Sequence, residues 1–214
     1  MSVFDDLKSA VIEYNQNKAA ASAQTIVDEG LDPLEGLDAI SEAMTYVGNG
    51  YSTGTLWLPD LVGAAGASQA AMPILEEEIR KRGQQSKSLG TIVLGTVAGD
   101  IHTIGKSMVG VLLVAQGFRV VDVGADTPAS RFVEAVREET ADILALSALL
   151  TTTAPQMGKV IDALKEAGLR DRVKIMVGGG AITQEFADMI GADGYGSTAP
   201  GAVELAKKML NLPV

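Results

Sequence analysis

Apolar residues recur at three- and four-residue steps through residues 1–84, and in short unbroken runs thereafter. Phe4, Leu7, Ala10, Val11 and Tyr14 share the spacing of one buried helical face. A second helix is predicted over about Ala19–Glu29, stopping at Gly30. A third begins at Asp32-Pro33, where Asp32 can cap the helix and Pro33 suits its first turn. Ile40, Ala43, Met44 and Val47 continue it, and Gly48 and Gly50 are expected to end it. A fourth covers about Leu56–Arg82. Four helices with short connections predict a small bundle over residues 1–84. The polar segment Arg82–Gly90 reads as a linker.

Beyond that segment the period changes. Apolar runs at Thr91–Val97, Arg119–Gly124, Asp142–Ser147, Val173–Gly179 and Asp193–Gly196 alternate with helical stretches near 104–116, 128–139, 155–167, 183–190 and 200–210. Near-continuous apolar strands belong to a parallel sheet covered on both faces. Residues 90–214 are therefore expected to form a flavodoxin-like α/β domain, a doubly wound sheet of five strands. Ligands bind such sheets outside the C-terminal strand ends. The segments that matter are then Ala98–Thr103, Ala125–Thr127, Ser147–Thr153, Gly178–Ala181 and Ser197–Pro200.

Aromatic residues make up only 4% of the chain, so its cores must be built from small aliphatic residues and Met. Lys and Arg number 17 against 27 Asp and Glu, a net charge of −10. An acidic surface without a basic stripe argues against nucleic acid and anionic membranes as partners. The absence of Cys excludes thiolate metal sites, disulfides and thiol nucleophiles. The N-terminal stretch is amphipathic and does not read as a signal peptide. No run of about 18 apolar residues is present. A cytoplasmic location is expected.

The first strand-end loop contains the chain's only His, in Gly99-Asp100-Ile101-His102-Thr103-Ile104-Gly105-Lys106. An imidazole ligates cobalt, iron or zinc, and a nearby carboxylate can fix its tautomer. One protein ligand is too few for a free zinc ion, but it suffices for a metal held by a macrocycle. Taken alone, such a His is more often a hydrogen-bonded loop residue. Gly105-Lys106-Ser107 also looks like the end of a phosphate-binding P-loop, but Asp100 stands where that motif needs its first glycine.

Asp100, His102 and Gly105 form D-x-H-x-x-G, which resembles the signature of vitamin B12-binding domains. Ser147-Ala148-Leu149 after the third strand and Gly178-Gly179-Gly180 after the fourth match further marks of that family, in its order. The helical half, with Leu58-Pro59-Asp60-Leu61, is similar to the cap found in methionine synthase and in free-standing corrinoid proteins of methanol, methylamine and betaine metabolism. Thr103 departs from the Asp common there, and should cap the next helix equally well.

The resemblance implies a methyl-carrier protein holding cobalamin or a related cobamide, with His102 as the lower ligand of cobalt. It implies that Asp100 bonds the imidazole and that Ser147 extends that proton relay. Thr103, Ile104, Gly105, Leu149, Gly179 and Gly180 would complete the cofactor site, with no catalytic residue of the chain's own. A substrate-specific methyltransferase, an acceptor methyltransferase and a reductive activation protein are the implied partners, with a methylated amine or betaine as methyl donor. The helical half is expected to cover the cofactor as a lid, through Trp57, Leu58 and Leu61. A B12-dependent sensor is the alternative.

Overall fold

The fold follows from which face each element can bury. A computed structural model describes residues 2–83 and 88–213. Helices α1 (Val3–Ile12), α2 (Gln16–Asp28), α3 (Pro33–Ser52) and α4 (Leu58–Lys81) come first. Five strands follow: β1 (Thr91–Thr96), β2 (Arg119–Asp122), β3 (Ile143–Ser147), β4 (Lys174–Gly178) and β5 (Gly194–Gly196). Helices α5 (Ile104–Ala115), α6 (Ala129–Glu138), α7 (Pro155–Glu166), α8 (Gln184–Ile190) and α9 (Ala199–Met209) alternate with them. The chain divides into two compact units, Met1–Ser88 with Val114–Gly117, and Leu89–Leu113 with Phe118–Val214. Of the segment expected as a linker, residues 84–87 lie outside the described residues.

In the helical unit, Leu7, Ala10 and Val11 of α1, Ala19, Ala23 and Ile26 of α2, and Ile40, Ala43, Met44 and Val47 of α3 are buried. So is the small-residue stripe of α4, Ala64, Ala67 and Ala71, which carries Leu61 and Leu75 beside it. Helix α2 starts three residues before the expected Ala19, and two helix ends also differ from the sequence reading. Helix α1 ends before Tyr14, which takes a left-handed φ of 60° and donates its hydroxyl to Asp60. Helix α3 runs through Gly48 and Gly50 to Ser52. The left-handed glycine that follows its end is Gly54, at φ 75°. Leu56 folds back onto Gly50, where a Cβ would lie 2.6 Å from its side chain. Leu61, expected on a lid surface, is fully buried, whereas Trp57 is exposed.

The sheet has the order β2-β1-β3-β4-β5, every pair parallel. Alternation along the strands splits its core in two. Val93, Leu144, Leu146, Ile175 and Val177 pack with Phe132 of α6 and Met157, Val160 and Ile161 of α7. Ile92, Leu94, Ile143, Ala145 and Met176 pack with Leu113 of α5 and Ala202, Val203 and Ala206 of α9. Helices on both faces make the sheet doubly wound. The order of strand addition reverses between β1 and β3, so the connections after those two strands diverge and open a crevice at their C-terminal ends.

Candidate functional site

The loop after β1 crosses that crevice, and Asp100 is its anchor. The Asp100 carboxylate is fully buried, yet both its oxygens are engaged. Oδ1 accepts the backbone N–H of His102 at 3.0 Å and the His102 ring Nδ1 at 2.8 Å. Oδ2 accepts the Thr153 hydroxyl at 2.7 Å and the Leu149 N–H at 2.8 Å, with Leu150 N farther at 3.4 Å. Burial alone would raise the Asp100 pKa. The bonds from Thr153, His102 and Leu149 outweigh it and hold the carboxyl well below the usual carboxylate range.

That ionisation state decides the histidine's chemistry. A carboxylate can only accept, so Nδ1 carries the proton and neutral His102 has its lone pair on Nε2. The imidazole is 48% exposed. Nε2 makes no hydrogen bond among the described residues and is available as a ligand. Buried Thr96 fixes the same residue from below, its hydroxyl donating to the His102 carbonyl at 3.1 Å. Ile101 and Ile104, on either side, expose 76% and 82% of their surfaces. Large apolar side chains so exposed suit a flat apolar ligand.

Beside this loop lies a cavity of about 440 Å³ at the C-terminal ends of the strands. Gly105, Lys106, Met108 and Val109 of α5 line it, with Ser147, the Gly178–Gly180 turn, and residues 195–199 that lead into α9. The starts of α5 and α9 both meet it, and helix N-termini favour anionic groups such as phosphate. The carbonyl of Thr103 accepts the Ser107 N–H at 2.7 Å, so Thr103 starts α5 through its backbone. The cap expected of its hydroxyl is not made among the described residues.

The predicted residues thus fall into two groups. Asp100, His102 and the Leu149 backbone form one hydrogen-bonded cluster, which Thr103 and Ile104 continue into α5. Gly105, Ser147, Gly179 and Gly180 line the cavity. The expected Ser147 relay needs correction: the hydroxyl on Asp100 belongs to Thr153. Ser147 ends β3 at the cavity, while the turn after it folds Thr153 back under the loop, its N–H on the Leu150 carbonyl. A hydroxyl six residues beyond Ser147 was the available signal. Lys106, weighed from sequence only as a P-loop lysine, has another role. Its side chain is buried and ion-paired with Asp122 at the end of β2.

The glycines differ in what they need. Gly179 has φ 120°, and a Cβ there would sit 2.0 Å from the Ala148 carbonyl, so the fold itself requires it. At Gly180 the neighbour is the Leu149 side chain. At Gly105 a Cβ would meet nothing within 4 Å. A glycine costs helix stability here, in the first turn of α5, and no neighbour among the described residues demands one. A ligand that packs against the start of α5 would.

These features fit a cobamide. A single imidazole with its tautomer fixed suits a metal whose other donors come from a macrocycle. The cavity and Gly105 leave room for a nucleotide tail.

Comparison with known proteins agrees. Residues 90–204 match the family of B12 binding domains, and residues 3–76 match a second family of the same description. A corrinoid protein of Desulfitobacterium hafniense is 44% identical over 212 residues, covering 98% of each chain. Trimethylamine corrinoid protein 1 of Methanosarcina mazei is 44% identical over 204 residues, 95% of this chain and 94% of the relative. Among solved structures, the methanol:cobalamin methyltransferase complex of Methanosarcina barkeri superposes with a TM-score of 0.79 at 31% identity, covering 98% of this chain and 80% of the other. None of the three is named as a sensor.

Proposed function

Since the chain belongs to the B12-binding corrinoid proteins, we propose that it carries a methyl group between a substrate-specific methyltransferase and an acceptor methyltransferase, with a cobamide held on His102. When bound, the corrinoid supplies a cobalt that takes up a methyl group from a donor and releases it to an acceptor. The chain's own residues bind, orient and tune. His102 offers Nε2 as the lower ligand, and Asp100 keeps the proton on Nδ1 through that bond. Thr153 and Leu149 hold Asp100 as a carboxylate when the imidazole shifts. Gly105, Ser147, Gly179 and Gly180 take the nucleotide tail into the cavity. Thr103, Ile104 and Leu149, beside His102 and Asp100, would contact the corrinoid once it is bound.

The buried Asp100 clamp on His102 is the observation that carries this reading. The trimethylamine relative supports a methylated amine as donor. A reductive activation protein completes the proposed partners. Among the described residues no helix is long and apolar enough to cross a membrane.

The test is reconstitution of the purified chain with cobalamin, followed by incubation with a methylated amine. One bound corrinoid per chain and no demethylation until a methyltransferase is added is the expected result. Demethylation by the loaded chain alone would contradict the carrier role.

A further inference from the structure

The loop that presents His102 is gripped by a residue from a different strand connection. Asp126 lies in the segment between β2 and α6. Its Oδ1 accepts the Gly99 N–H at 2.6 Å, and its own N–H donates to the Asp100 carbonyl at 2.9 Å. These two bonds bracket the Gly99–Asp100 peptide. From them we infer that Asp126 is a positioning residue for the axial ligand, setting where His102 presents Nε2. This inference rests on the cobamide reading above.

The Asp100 side chain has little freedom to compensate for a backbone shift. Oδ2 is fixed to the Leu149 N–H and the Thr153 hydroxyl, and Oδ1 must reach the His102 ring. A displaced Gly99–Asp100 peptide would therefore turn the imidazole or break its bond. The grip is built in from both sides. Gly99 takes a left-handed φ of 79° and Asp126 one of 52°. Adjacent bonds continue it: Thr127 N–H donates to the Thr96 carbonyl at 3.0 Å, and Val97 and Thr127 form an isolated parallel bridge. Lys106 adds support at the start of the same segment. It pairs with Asp122, whose carboxylate also accepts the Gly124 N–H at 2.8 Å.

An aspartate at positive φ is also a common turn former, since Asp and Asn tolerate that conformation. Two substitutions separate the roles. Asp126→Asn keeps both the φ tolerance and an acceptor oxygen. Asp126→Gly keeps the φ tolerance and loses the acceptor. Asp126 is exposed, so neither change opens a cavity.

The experiment uses the full chain loaded with cobalamin and reduced to Co(II). With the histidines labelled with ¹⁵N and the cofactor unlabelled, the ratio of histidine-ligated to unligated cobalt is read by electron paramagnetic resonance, from the ¹⁵N doublet splitting. The cobalt midpoint potential and the thermal midpoint of the unloaded protein are measured alongside. Asp126→Gly is expected to lower the ligated ratio about five- to tenfold, the size of one hydrogen bond to a backbone N–H, and to move the potential. Asp126→Asn is expected to retain the wild-type ratio. A wild-type ratio and potential in Asp126→Gly would overturn the inference, as would an Asn variant no better than Gly. Those results leave the His102 assignment standing. A wild-type protein with no ¹⁵N splitting overturns both.

Discussion

Asp100 places two oxygens before five donors, and that crowding sets its sensitivity. Asparagine has nearly the same shape but one acceptor oxygen, and its amide would face N–H or O–H groups. Each buried donor left unsatisfied costs about 1–3 kcal/mol. Asp100→Asn should therefore lower the stability of the unloaded protein by about 2–4 kcal/mol in urea unfolding. Thr153→Val removes one donor and should cost only about 1 kcal/mol. An Asn variant as stable as wild type would mean that the carboxylate is not held as described. The glycines give a second contrast. Gly179→Ala forces a Cβ into the Ala148 carbonyl at positive φ and should cost about 3 kcal/mol or more. Gly105→Ala should leave the unloaded protein as stable, or about 0.5–1 kcal/mol more so, because the added methyl meets nothing. It should nevertheless weaken cobamide binding in equilibrium titration. Unchanged affinity would show that the tail does not reach the start of α5.

At the scale of elements, the Lys106–Asp122 pair ties the first turn of α5 to the end of β2. The partners are unequal: Lys106 is buried, while Asp122 is 41% exposed. Removing the carboxylate strands a buried cation; removing the cation leaves a carboxylate that water can reach. Asp122→Ala should accordingly destabilise by about 3 kcal/mol, and Lys106→Met by much less. Chemical denaturation of both variants checks the order, and equal losses would contradict it. Elements were the most legible level of the sequence, because burial on one stripe or both faces writes its period directly into the chain. Two kinds of feature were not legible. Gly48 and Gly50 looked like helix ends, but glycine also admits a neighbour that folds back, as Leu56 does. Thr153 is the last of three consecutive threonines in the Ser147–Thr153 segment, and nothing local singles it out. Its role depends on a carboxylate 53 positions earlier, which only the β1–β3 crossover brings near. His102 and Asp100 were readable because both partners sit in one short loop.

The whole molecule sets a helical unit and an α/β unit in one chain of net charge −10. The α/β unit carries the entire cluster around His102 and its adjoining cavity. Binding there should stabilise that unit by mass action. At a free cobamide concentration about 100 times its Kd, the gain is about 2.7 kcal/mol. Thermal unfolding with and without cobalamin would register it, and no shift at saturation would argue against binding to the folded state.

The central claim is that cobalt takes its lower nitrogen from His102. The direct measurement is the Co(II) paramagnetic resonance spectrum of the cobalamin-loaded protein, beside that of His102→Ala. The nucleotide base of the cofactor can also supply an axial nitrogen, so the histidines are labelled with ¹⁵N while the cofactor is not. A doublet splitting from ¹⁵N is expected in the wild-type protein and is lost in His102→Ala. A triplet from unlabelled nitrogen in both proteins would show that the cofactor keeps its own base, and would contradict the account.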